Sequence, residues 1–202
     1  FDVRFGAGNS SLIYTRRVGG EADDGSGAGD VSAALKLNGS FGELNYGVFA
    51  ATEADDAGRD FYALRLTKDF GKQDVGFMAT QVNRPYLDRV ANVYSFDHRW
   101  KPKDNWDVVT QFVASDITQN GVETQDTGMQ IRINQQLKDG WRQNLYYLHL
   151  GDSLQLNDFG YLDRNNFNYL RYEIRHRVTD LPEDSIYRSK DWGFATSMRH
   201  ND

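Results

Sequence analysis

The side chains able to do chemistry are few and scattered. The four histidines are His98, His149, His176 and His200. No two have the His-x-x-x-His spacing that sets imidazoles on one metal ion. Ser95, Asp97 and His98 fall within one short stretch, and these are the residue types of an acyl-transfer triad. In an extended chain successive side chains alternate, so His98 points away from both Ser95 and Asp97, and no local triad forms. The absence of cysteine removes disulfides, thiolate metal sites and cysteine nucleophiles. Acids gather in two places: Glu21, Asp23, Asp24 and Asp30 in 19–30, and Asp152, Asp158 and Asp163 with Asn157 and Asn165 in 151–166. Carboxylate and amide oxygens suit Ca²⁺, but neither stretch follows the EF-hand spacing, and solvated loop charge is the plainer reading. The second stretch interleaves turn formers with Phe159, Tyr161 and Leu162, a mixture expected of a loop that folds inward or packs on a rim. Asn157, Asp158, Gly160, Asp163 and Arg164 form the candidate functional loop. No catalytic residue, metal site or cofactor is assigned.

The remaining charges need a framework before they mean anything. The dominant hydrophobic period is two, and it divides the chain into eleven candidate strands: 10–17, 31–38, 43–53, 60–69, 74–83, 91–100, 105–115, 125–137, 140–150, 167–178 and 191–199. Most exceed the ~5–6 residues usual in globular strands and match the ~9–11 needed to cross a membrane on a tilt. In 105–115, Trp106, Val108, Thr110, Phe112 and Ala114 share one face. In 125–137, Met129, Ile131 and Ile133 oppose Gln130, Arg132 and Asn134. One face is apolar and aromatic, and the other carries full charges deep within the strand. Aromatics sit near strand ends, as Tyr14, Phe70, Trp100, Trp106, Trp141 and Trp192 do, a placement suited to the two interfacial girdles of a membrane barrel.

Connections alternate in length. Short turns are expected at 39–42, 70–73, 101–104 and 138–139, and longer loops at 18–30, 54–59, 84–90, 116–124 and 151–166. The segment 179–190 breaks this rule and reads as a strand-boundary error. In an antiparallel meander the short turns gather at one end and the long loops at the other, and outer-membrane barrels keep their longer loops outside. The long end then carries Glu21, Asp23, Asp24, Asp116, Glu123, Asp152 and Asp158, partly offset by Arg84, Arg89 and Arg164.

The fold class expected is therefore all-β: an antiparallel, up-and-down transmembrane β-barrel, one domain over 1–202. Tyr46, Val48, Leu64, Tyr94, Phe96, Phe112, Met129, Ile131, Leu145 and Tyr172 are expected to face lipid. Arg16, Lys36, Asp97, Arg99, Arg132, Arg142, Arg171, Glu173 and Arg175 are expected to line the lumen, since Arg or Lys at mid-depth on the lipid face costs ~2–4 kcal/mol. Their mixed signs favour a salt-bridge ladder over a charge-selective pore lining. An odd strand count, a polar end at Arg199-His200-Asn201-Asp202 and the lack of a signal peptide before Phe1 suggest part of a larger barrel cut from a longer precursor. A net charge of −6 argues against a nucleic-acid partner, and no apolar run approaches the ~20 residues of a membrane helix.

Five phrases in order carry a family resemblance: Tyr14-Thr15-Arg16-Arg17-Val18-Gly19, Ala33-Ala34-Leu35-Lys36-Leu37-Asn38-Gly39, Val82-Asn83-Arg84, Phe96-Asp97-His98-Arg99-Trp100 and Asn157-Asp158-Phe159-Gly160-Tyr161-Leu162-Asp163-Arg164-Asn165. Over about residues 10–178 the chain resembles bacterial outer-membrane proteins whose barrel domain has no known function. In these proteins a carbohydrate-binding-module-like periplasmic domain precedes the barrel. The resemblance implies an outer-membrane location, contact with lipid and lipopolysaccharide, and partnership with such an N-terminal domain or with other envelope proteins. It transfers no catalytic residue. The function expected is a channel, transport or export and assembly component. An outer-membrane enzyme acting on lipid or glycan, and a soluble β-sandwich binding module, are the alternatives.

Overall fold

The computed structural model describes residues 3–6 and 10–201. Ten strands follow one another: β1 Val31–Phe41, β2 Leu44–Glu53, β3 Asp60–Asp69, β4 Gln73–Arg84, β5 Arg89–Trp100, β6 Trp106–Gln119, β7 Val122–Gln136, β8 Trp141–Leu150, β9 Phe167–Val178 and β10 Lys190–His200. They form one antiparallel sheet in sequence order, each strand paired with its neighbours along the chain. The short connections leave no room for crossovers, and the helical turns described, Thr15–Arg17 and Pro85–Leu87, are three residues long. The all-β antiparallel meander is thus as expected. Closure is not, because among the described residues β1 pairs only with β2 and β10 only with β9, so the sheet is not closed into a barrel.

One candidate strand does not join the sheet. Residues 10–14 lie extended across a sheet face with Ser10 and Leu12 buried against it, and Thr15–Arg17 form a helical turn. Ser11 bridges to Tyr161, Tyr14 N–H donates to the Phe159 carbonyl at 2.7 Å, and Leu12 is fully buried. Arg16 consequently lines nothing: it sits exposed in the Thr15–Arg17 turn. The expected loop 116–124 is also wrong. β6 and β7 run on to a two-residue turn at Asn120 and Gly121, both with positive φ, the type I′ geometry that suits strand twist. The long connection 179–189, by contrast, is real.

Register fixes which side chains share a face, since directly paired residues point the same way. One row across the sheet reads Tyr46, Leu66, Phe77, Phe96, Phe112 and Met129. Another reads Leu37, Val48, Leu64, Ala79, Tyr94 and Ala114. All ten residues expected to face lipid lie on this apolar face, which no described residue covers at its centre: Phe96 and Phe112 are 47% and 46% exposed. The opposite face carries the charges. A 640 Å³ cavity there is lined by Arg4, Arg65 on β3, Asp97 on β5, Gln111 on β6, Gln130 on β7 and Tyr146 on β8. A flat sheet would hold β3 and β8 about 24 Å apart. The sheet therefore curls, with the charged face concave.

Candidate functional site

The concave face has two halves. Turns 42–43, 70–72, 101–105, 137–140 and the connection 179–189 gather at one end, here the turn end. Connections 54–59, 85–88, 120–121 and 151–166 gather at the other, the loop end.

At the loop end a plug fills the concavity. Segments 10–14 and 159–161 pair briefly, with Ser11 and Tyr161 exchanging backbone hydrogen bonds of 2.9 and 2.8 Å. Together they lie on the sheet. Phe5, Leu12, Leu154, Leu156 and Leu162 pack against Met78, Val93, Val113, Leu148 and Leu150. Phe159 packs against Phe49 and Phe61, with ring centroids 5.7 and 5.2 Å away. Each fully buried Leu or Phe is worth about 1.5–3 kcal/mol of transfer free energy, so the plug is held firmly. At Gly160 the two segments approach too closely for a side chain: a Cβ there would stand 2.4 Å from the Ser11 carbonyl oxygen.

Around the plug runs an alternating chain of charges. Glu53 accepts from Arg59 at 2.6 Å and from the Gly19 N–H at 2.7 Å. Arg59 lies 3.8 Å from Asp23. Asp23 accepts from Arg84 at 2.6 Å, Arg84 donates to Asp158 at 2.9 Å, and Asp158 accepts from Arg89 at 2.7 Å. Three acids and three arginines alternate, and they tie 18–30, 54–59 and 151–166 to the ends of β2, β4 and β5. Burial alone would raise the Asp158 carboxyl, but hydrogen bonds from Arg89 and Arg84 outweigh it and hold the group below the ordinary carboxylate range. Asp23, whose side chain is only 2% exposed, does not belong to a flexible acidic loop as its glycine-rich surroundings suggest.

The candidate loop thus acts as a unit, though its members do different things. Asn157 brackets the turn, its side-chain oxygen accepting from Leu162 N–H at 2.7 Å. Asp158 anchors the ion chain, and Gly160 permits the close approach. Asp163 and Arg164 stay exposed, the Asp163 N–H on Ser10 at 3.4 Å and Arg164 stacked 4.0 Å over the Phe167 ring. Among the described residues no three His, Cys, Asp or Glu side chains are placed to hold a metal ion.

At the turn end the concave face is open and polar. By register, Lys36, Asp97, Arg99, Arg132, Arg142, Arg171, Glu173 and Arg175 all lie on it. Its ion pairs include Arg65–Asp97 at 2.5 Å, Arg99–Asp107 at 2.6 Å, Arg171–Glu173 at 2.8 Å and Arg175–Asp191 at 3.1 Å. Arg65 on β3 reaches Asp97 on β5 over the intervening β4 because Gly76 stands between them, where a Cβ would come within 2.4 Å of both side chains. A hydrogen-bond ladder continues beside them, Tyr146 donating to Gln130, Gln130 to Gln111 and Gln111 to Ser95.

Sequence reasoning did not find Glu53, Arg59 or Arg65, and placed Arg84 and Arg89 only as loose loop charge. Their partners lie 6 to 74 residues away along the chain, and no local pattern links them. The histidines do not join the site. His98 Nε2 lies 3.0 Å from Gln73 and His149 Nδ1 lies 2.7 Å from Asn168, both on the apolar face, while Asp97 is committed to Arg65.

A family model described as a domain of unknown function, DUF5916, matches residues 63–201, more than half of the chain. No curated protein and no solved structure matches.

Proposed function

For a chain that belongs to the DUF5916 family of domains of unknown function, we propose a role as part of the wall of a bacterial outer-membrane β-barrel. Its concave face lines the lumen, its loop-end mouth is stoppered by residues 3–6, 10–14 and 151–166, and it works in solute passage or export.

The observation that carries this reading is the inversion of polarity across the sheet. Arg, Asp, Gln and Asn fill the turn half of the concave face, while Phe, Tyr, Trp and Leu stand exposed on the convex one. A β-sandwich hides its apolar face against a second sheet. Here the apolar face is the exposed one and the turn half of the hidden face is polar, an arrangement that suits an outer solvent of hydrocarbon. A second observation concerns the rim. All four tryptophans, Trp100, Trp106, Trp141 and Trp192, lie on the convex face at the turn end. Trp141 meets Trp192 edge-on at 4.7 Å and His176 at 4.6 Å. Indoles placed so suit one membrane–water interface. Strands of 12 residues such as β4 and β5 reach about 40 Å, enough to cross the ~25 Å apolar band of such a barrel on a tilt.

On this reading the turn end is periplasmic and the loop end extracellular. Glu21, Asp24, Glu123 and Asp152 remain exposed there and favour divalent cations that bridge to lipopolysaccharide.

The test is flotation of the full-length protein with phospholipid vesicles, combined with tryptophan quenching by lipids brominated at defined depths. Co-flotation with quenching strongest for shallow bromines is expected. A protein that stays in solution without detergent, with its tryptophans unquenched, refutes the reading. Orientation is read by labelling an epitope inserted at Asp55-Asp56, exposed in the loop-end connection 54–59, on intact cells. Label only after outer-membrane permeabilisation reverses it.

A further inference from the structure

The charges of the concave face are not spread evenly. On β3 to β6 the acids balance the bases, with Arg65 on Asp97 and Arg99 on Asp107. On β7 to β10 they do not. From the row of Gln130 to the turn end, this face carries Arg132, Arg142, Arg171, Arg175, Arg177 and Arg199 against two carboxylates, Glu173 and Asp191. A chain of net charge −6 thus presents a basic wall inside the concavity.

The register turns this wall into a grid. One row reads Arg132, Tyr146, Arg171, the next Asn134, Asn144, Glu173, and the next Gln136, Arg142, Arg175. Strand spacing of about 4.8 Å and a two-residue step of about 6.7 Å put the four corner and edge arginines within a patch about 10 by 13 Å. Glu173 lies near the middle and feels Arg171, Arg175 and Arg142 together. It cannot satisfy all three. Among the described residues Arg142 makes no ion pair, and Arg132 has only the Tyr146 ring, 5.6 Å from its guanidinium carbon. The lower two rows line a 480 Å³ cavity that Lys101, Asp104 and Asp107 also line, with Asp107 held by Arg99. Amide side chains between guanidinium groups supply neutral donors and acceptors for the rest of a ligand.

Resting on the barrel reading above, we infer that this grid binds a small polyanionic solute, one bearing two or more carboxylate or phosphate groups, that enters from the turn end. Guanidinium groups bind such groups through paired, charge-assisted hydrogen bonds. The plug closes the opposite end, so the solute meets the grid before any route through the loop end. Glu173 serves as the resident anion that a stronger ligand outcompetes for the surrounding arginines.

The test uses the full-length protein in detergent, with citrate and pyrophosphate as probes in isothermal titration and maltose as the uncharged control. Vesicle flotation is run on the same preparation. Saturable binding of at least one anion is expected, weakening as salt rises, with none of maltose. Arg142→Gln combined with Arg175→Gln should weaken binding by about tenfold or more. Glu173→Gln should tighten it several-fold, an opposite change that misfolding would not produce. Arg16→Gln, exposed and off the sheet, should change nothing. A protein that floats with vesicles yet binds neither anion, or binds them equally after loss of Arg142 and Arg175, overturns this inference and leaves the membrane reading standing. A protein that does not float overturns the membrane reading instead. Preference for citrate or for pyrophosphate assigns the ligand to the carboxylate or the phosphate class.

Discussion

The two halves of the concave face are built from the same strands with the same pleat, and they solve the problem of buried charge in opposite ways. At the loop end every charge of the Glu53–Arg59–Asp23–Arg84–Asp158–Arg89 chain is matched, and the plug shuts out water: the Asp23, Asp158 and Glu53 side chains are 2%, 6% and 1% exposed. At the turn end the arginines outnumber their partners and stay wet, with Arg99 and Arg171 side chains 47% and 46% exposed. Removing charges from water requires full pairing, whereas hydrated charges need none. The first half is therefore a fastening and the second a surface with binding capacity to spare.

The comparison breaks first at Asp158. Asp158→Ala leaves Arg84 and Arg89 facing each other with no anion between them, and breaking a buried pair this way costs about 3–5 kcal/mol. The plug is expected to loosen locally while the sheet survives. Hydrogen exchange should become fast across 151–166 and stay slow in β4 to β7. Uniform protection in the variant would show that the ion chain holds nothing. At Gly160, substitution by Ala forces a methyl against the Ser11 carbonyl and should cost about 1–3 kcal/mol as overpacking. It should be visible as the same local pattern with smaller amplitude, and an unchanged exchange profile would argue against close pairing of 10–14 with 159–161.

Acid probes the same fastening reversibly. A carboxyl held below its ordinary value contributes stability that is complete above the unfolded value and is lost as pH falls through the folded one. Asp158 is such a group, so plug protection should stay flat at neutral pH and decline only below about pH 4. A decline centred near pH 6 would assign the latch to a histidine instead. The smallest effect is expected at the open end. A double-mutant cycle on Arg99 and Asp107, exposed by 47% and 28%, should give a coupling under about 1 kcal/mol. A coupling as large as the cost at Asp158 would erase the distinction between the two halves.

Much of the scaffold was legible in the sequence because its signal is local. Nine candidate strands between 31 and 178 overlap β1 to β9, and 191–199 falls inside β10. Met129, Ile131 and Ile133 against Gln130, Arg132 and Asn134 suffices to assign β7 its two faces. The error at 10–17 has a different origin: Leu12-Ile13-Tyr14 is a short apolar run without alternation, and it packs on the sheet as a covering segment instead of pairing within it. The shortened 116–124 loop failed for another reason: Asp116 and Thr118 point outward and Ile117 inward, so polar residues continue a strand that composition alone would end.

The sequence by itself determined the pleat, the meander, the facing of eight of the nine candidate luminal residues and four short turns at one end, but neither the two-residue turn 120–121 at the other end nor the long connection 179–189 among the short turns. Each depends on neighbours two residues apart along the chain or one turn away, and alternation records such relations directly. Only the tertiary structure decided that the loop of 151–166 turns inward as a plug, that Asp23 and Asp158 are neutralised, and that among the described residues Arg132 and Arg142 form no ion pair. Those outcomes depend on which side chains meet across the concavity, such as Arg84 and Asp158, 74 positions apart. The pairing energy of two charges depends on their separation and burial in space, and no periodicity along the chain encodes either.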